Sequence, residues 1–242
     1  MSNPILNENN FNGQERILEG IPMTVNGTIR ITGFLGLILL CTAFIVWSKM
    51  SAGYIDIGMM LMSGGLIVGF ILALIISFTK NSYLVPVYAA CEGCALGGIS
   101  AIMETQFPGI VTQAVAGTFA ALFVMLALYK MKLIQATDKF RSVLFITTGS
   151  IAAIYIVDII GRFFFHMHVP LINSASPAGI AVSLVIVAVA ALNLIIDFDF
   201  IEKGEQMMLP KEYEWFGAFG LLVTLVWLYI EILKLLSKIN RR

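Results

Sequence analysis

Apolar residues run in seven long blocks along the chain, each ended by a short stretch of Gly, Pro, Asn, Ser or charged residues. The blocks are Ile31–Trp47, Ile57–Phe78, Tyr83–Met103, Gly109–Tyr129, Ser142–Phe165, Ala178–Ile201 and Trp215–Leu236. Each is close to the ~20 residues that cross ~30 Å of hydrocarbon as a helix. The pattern predicts an all-α membrane protein with seven transmembrane helices over residues 31–242. Before them, residues 1–30 are polar, Asn-rich and without apolar periodicity, and read as an irregular cytosolic segment. The connections leave no room for a soluble domain.

Composition agrees. Of 242 residues, 59% are hydrophobic and 12% charged, against about 25% charged in soluble domains. The formal net charge is zero, so no global field recruits nucleic acid. Cys41, Cys91 and Cys94 all fall inside apolar blocks and give no disulfide framework. Residues 1–30 lack a charged start, a short apolar core and a cleavage site, so the first helix is expected to act as its own insertion signal.

Basic residues set the orientation. With the N-terminus in the cytosol, Arg16, Arg30, Lys80, Lys130, Lys132, Lys139, Arg141, Lys203 and Lys211 lie inside, and only Lys49 and Arg162 lie in the outer connections. Lys234, Lys238, Arg241 and Arg242 oppose this order unless the seventh run is re-entrant. The expectation is a full crossing.

Polar side chains inside the runs are the candidate chemistry, because an acid at the bilayer centre costs roughly 2.5–3.5 kcal/mol on insertion scales. Glu92, near the middle of the third run, reads either as an ion or proton relay or as a neutral acid bonded to a neighbouring helix. Its neighbours Cys91 and Cys94 read as small packing residues. Gly65 and Gly69, with Ala89, Gly93 and Gly97, set small residues four apart, a spacing that lets helix backbones approach. Asp158 and Arg162 stand in the favourable order for an intrahelical ion pair, with outer-vestibule lining as the rival. His166 and His168 form an H-x-H pair with no third ligand nearby and read as interfacial. No nucleophile elbow, phosphate-binding loop or HExxH occurs, so no enzyme is expected.

The last two runs carry the sharpest pattern. In the sixth, Asn193 and Asp197 share a face, while Asp199 points nearly the opposite way. Asp197, the deeper of the two acids, is the site candidate; Asp199 and Glu202 are expected to be solvated at the interface. In the seventh, Gly217, Gly220, Thr224, Trp227, Glu231, Lys234 and Lys238 form one small-and-polar stripe on an otherwise apolar helix. Lipid offers polar groups no partner, so the stripe is expected to face inward. Glu231 is then a buried acid, either functional or paired with Lys234.

The stretches PVYAACEGCALGGISA, FPGIVTQAVAGT, ALNLIIDFDFIEKG and PKEYEWFGAFGLLVTLVWLYIEILKLL resemble the Bax inhibitor-1 family (transmembrane Bax inhibitor motif proteins), in its YccA-like bacterial branch. The resemblance runs from about Met23 onward. It implies a bundle whose last helix is central, ringed by the other six, in a bacterial inner membrane. Relatives in the family are calcium-leak proteins whose sixth and seventh helices carry a pH-sensitive pair of acids. The resemblance carries these roles to Asp197 and to Glu231, the latter in LYIE. Three departures stand out: a Glu replaces the usual Asp, the connection is about ten residues longer, and the relatives' basic latch on the second helix is matched at best by Lys80.

The resemblance therefore implies a calcium-permeable leak in which Asp197 and Glu231 share a proton when closed and offer oxygen ligands to Ca²⁺ when open. Protons and Ca²⁺ are the expected partners, with no further cofactor. The alternative is an interaction protein that modulates a membrane protease or stress machinery through residues 1–30. The carboxylate contact itself is conditional: Glu231 lies sixteen residues past Trp215, ~24 Å along a helix, whereas Asp197 is close to the end of its run.

Overall fold

The computed structural model describes residues 21–165 and 174–241. Their architecture is seven helices: α1 Val25–Ser51, α2 Ile55–Thr79, α3 Val85–Gln106, α4 Ile110–Lys130, α5 Asp138–Phe165, α6 Pro177–Gln206 and α7 Tyr213–Asn240. A 3₁₀ turn, Ser82–Leu84, leads into α3. All seven segments are long and apolar enough to cross a membrane. At 28 residues α7 is ~42 Å long, which suits a full crossing and not a re-entrant loop. His166 and His168 lie outside the described residues. The bundle has a proximal end, where α1 starts and α6 stops, and a distal end, where α1 stops and α6 starts.

Local chemistry fixes the helix starts. Thr24 caps α1 by accepting a hydrogen bond from the Gly27 N–H, and Ser176 caps α6 from Gly179, with Pro177 in the first turn. Gly109 turns the chain into α4 with φ +84, a conformation that favours glycine. The Glu104 carboxylate then accepts from the Gly109 and Val111 amides at 2.6 and 3.1 Å.

The last helix is the centre. In its most apolar window 67% of α7 is buried, against 11% for α1 and for α5. It packs on α6, α1, α4 and α3. The expected ring of six is incomplete: α2 lies outside, on α3 and α1, and α5 is held chiefly by α6. Outward faces such as Leu37, Phe44, Met60, Phe70 and Phe145 are exposed and apolar, as lipid contact requires.

The small-residue faces make the close approaches their spacing predicts. Gly65 sits on the α3 backbone at Cys91 and Ala95, and Gly93 and Gly97 sit on the α1 backbone at Leu39 and Ala43. Cys91 and Cys94 are packing residues here, beside Gly69 and Gly65.

α1 begins six residues inside the stretch that hydropathy assigns to the polar segment, and residues 21–24 are clamped to the α6–α7 connection. Pro22 forms an antiparallel bridge with Pro210. The Met23 amide donates to the Leu209 carbonyl at 2.7 Å and the Lys211 amide to the Ile21 carbonyl at 3.1 Å. Two acids finish the join. Glu214 accepts from the amide and hydroxyl of Thr24 at 2.9 and 3.0 Å, and Glu205 accepts from the Val25 amide at 3.0 Å. Both carboxylates face the positive end of the α1 dipole.

Candidate functional site

Asp197 projects from α6 onto the stripe of α7. Its carboxyl lies against Gly220, where a Cβ would stand 3.6 Å from Oδ1. The Thr224 hydroxyl faces it and donates its proton to the Gly220 carbonyl at 3.2 Å. The Oδ2 atom is buried and has no hydrogen-bond partner among the described residues. A carboxyl with a buried oxygen left unpartnered in a membrane bundle is costly, and Gly220 provides the space that admits it.

Glu231 is elsewhere. It is 1% exposed, accepts from the Tyr155 hydroxyl of α5 at 2.8 Å, and pairs with Lys234 at 3.0 Å. The Lys234 ammonium also lies 4.3 Å from the Tyr155 ring centroid, a cation–π contact. Further along, Lys238 donates to the Gly179 carbonyl at 3.2 Å and to Ser183 at 2.6 Å.

These contacts fix the antiparallel register of α6 and α7: Asp197 lies by Gly220 and Thr224, and Ser183 lies by Lys238. Glu231 is seven residues beyond Thr224, ~10 Å along the axis. The direct carboxylate pair that the resemblance implies, conditional on depth, is therefore not formed. Both helices do extend past their apolar blocks, to Gln206 and from Tyr213, but the extension does not close the gap in depth. The residue opposite Asp197 is a hydroxyl.

The other candidates separate as well. Asn193 donates to Thr148 of α5 at 3.0 Å and to the Val189 carbonyl at 2.8 Å, so it ties α6 to α5 and does not serve Asp197. Asp199, expected to be solvated, is 7% exposed and ion-paired with Arg141 of α5 and with Lys203, the latter at 3.1 Å. Arg141, Thr148 and Tyr155 recur every seven residues and form a polar seam along α5. Asp158 and Arg162 form the intrahelical pair their spacing predicts, at 2.8 Å. Glu92 stands beside Tyr88, one turn back on α3, and lies over Gly69 of α2. Lys80 caps α2 with φ +53; its ammonium reaches the Tyr213 hydroxyl at 3.2 Å and lies 5.1 Å from that ring's centroid, which latches α2 to the start of α7.

Among the described residues, no three His, Cys, Asp or Glu side chains gather into a metal cluster. Sequence reading missed the roles of Thr224, Tyr155, Arg141 and Glu214. The stripe did contain Thr224, and the heptad recurrence on α5 was available, but neither names a partner across helices.

With a central seventh helix and an acid of the sixth helix lodged against it, the whole-chain comparison can be placed: the profile described as Bax inhibitor 1 like matches residues 3–241. The chain belongs to the Bax inhibitor 1 like family. No curated protein matches it. Family membership and the seven apolar helices together make it an integral membrane protein.

Proposed function

We propose that this family member is a Ca²⁺-permeable leak in which Asp197 and Glu231 act as separate carboxylate stations along α7, with the site's proton occupancy setting the flux. The observation that carries this reading is the Asp197 carboxyl: it lies against the central helix, with its Oδ2 atom buried and unpartnered among the described residues. A cation passing that point meets a single carboxylate, the Thr224 hydroxyl and helix carbonyls, and so keeps most of its water. Glu231 is compensated by Lys234 and Tyr155 and would be reached only when that pair separates. The placement in the YccA-like branch and in a bacterial inner membrane with a cytosolic N-terminus belongs to the same proposal and rests on the sequence stretches and basic residues given above.

Purified protein in liposomes tests it. Ca²⁺ influx is expected, with Asp197→Asn lowering it and flattening its pH response, and Glu231→Gln changing it less. Unchanged flux in Asp197→Asn removes the role.

A second reading is an interaction protein that modulates a membrane protease through residues 1–20. It is favoured by the clamp at residues 21–24, which would carry a pull on the N-terminal segment directly to the α6–α7 connection. Deleting residues 2–20 should abolish that modulation and leave the leak intact.

A further inference from the structure

A cavity among the described residues lies away from Asp197. It lies in the proximal half of the bundle, between α1, α4 and α6, with a volume of about 1150 Å³. Pockets for small ligands run roughly 300–1,000 Å³, so this one has room for a long guest. Its walls are apolar: Ile29 and Gly33 of α1, and Phe119, Leu122 and Leu126 of α4, with Leu221 of α7 at the floor. Ile29 and Phe119 are also exposed on the outer surface, so the cavity meets the bilayer sideways. Gly33 matters here, since a Cβ at that position would meet nothing within 4 Å.

The proximal mouth is charged, and its charges are unequally satisfied. Asp199 is held by Arg141 and Lys203, Glu202 accepts from Tyr129, and Glu205 accepts from the Val25 amide. Lys130 and Lys132 line the same mouth and make no ion pair within the described residues. Arg141, Lys130, Lys132 and Lys203 stand there against Asp199, Glu202 and Glu205, so the mouth carries one positive charge in excess. It stands at the depth where a helix end meets the headgroups, above a slot of acyl-chain character.

We propose that this cavity is a binding site for an anionic phospholipid, with one acyl chain between α1 and α4 and the phosphate at Lys130 and Lys132. A free anion would use the lysines and leave the apolar slot unused; a neutral amphiphile would use the slot and leave the lysines unpaired. An anionic lipid uses both. The site is separate from the Asp197 station and does not depend on the leak reading.

Intact-protein mass spectrometry from detergent tests it, with phosphatidylglycerol, phosphatidylethanolamine or inorganic phosphate added. The protein should retain phosphatidylglycerol through washing. Lys130→Gln with Lys132→Gln should weaken retention on the order of tenfold, in keeping with the attraction of each lysine for an anionic surface. Gly33→Phe should obstruct the slot and also reduce retention, while Lys139→Gln, an exposed proximal charge outside the lining, should leave it unchanged. Equal retention in the wild type and the double lysine variant overturns the assignment. So does an equal fall in Lys139→Gln, a preference for phosphatidylethanolamine, or displacement of the lipid by inorganic phosphate alone.

Discussion

The hydroxyl of Thr224 stands against the carboxyl of Asp197, at the point where a like-charge pair would need a second acid. This one residue separates the proposed mechanism from a proton-sharing dyad. A hydroxyl can donate to the carboxylate but cannot compete with it for a proton.

Thr224→Asp should therefore install the missing pair. Two carboxylates in apolar surroundings cannot both ionise cheaply and would hold one proton between them at neutral pH. The shared proton closes the site, and its loss at higher pH opens it. Ca²⁺ flux in liposomes should acquire a second step at higher pH, beyond the response of Asp197 alone that Thr224→Val keeps. An identical pH profile for Thr224→Asp and the wild type would show that the α6–α7 contact does not control passage.

Glu231 is expected to matter more for stability than for flux. Glu231→Ala removes the acceptor of Tyr155 and leaves Lys234 without its acid. Thermal unfolding in detergent should show a loss of about 1–3 kcal/mol, the cost of an unsatisfied buried group, with Glu231→Gln losing less because it can still accept from Tyr155.

Glycines at helix crossings should separate sharply from glycines facing open space. A Cβ at Gly97 would strike the α1 backbone at Ala43, whereas one at Gly36 would meet nothing within 4 Å. Gly97→Ala should destabilise by about 1–3 kcal/mol, as overpacking does. Gly36→Ala should be neutral or slightly stabilising. Equal midpoints for the two variants would remove the close-packing account of α1 and α3.

The proximal clamp predicts a local effect. Thr24→Val removes the α1 cap, worth about 1 kcal/mol, and Glu214→Gln weakens its charged acceptor. Both should speed hydrogen exchange at residues 25–28 while leaving the distal half of α1 protected. Uniform exchange along α1 in either variant would show that Thr24 and Glu214 do not hold its start.

Much of this fold is legible in the sequence, and for a physical reason. Lipid forces backbone groups to pair within each segment, so length and apolarity mark every span. The stripe on α7 gave its inward direction, and Thr224, Glu231 and Lys238 are buried as that stripe requires. Depth is the harder question. Helix register depends on where α6 and α7 cross, which periodicity does not encode; the ~24 Å offset already tells against a contact that the resemblance alone implies, and the partner of Glu231 across helices is Tyr155. Asp199 is buried where its position near the helix end suggests solvation, because Arg141, its counter-charge, sits 58 residues earlier in the chain.

The centrality of α7 bears on how the molecule is made. The helix that four others pack against is the last of the seven in chain order. During synthesis the earlier segments enter the membrane before their common core exists, and their inward faces must be covered by lipid or by one another. The bridge between Pro22 and Pro210 then joins residues from opposite ends of the chain. It can form only after α6 is complete, so the start of α1 waits on the end of α6 for its acidic caps. Assembly closes from its last-made part, and a defect in α7 would be felt by helices already inserted.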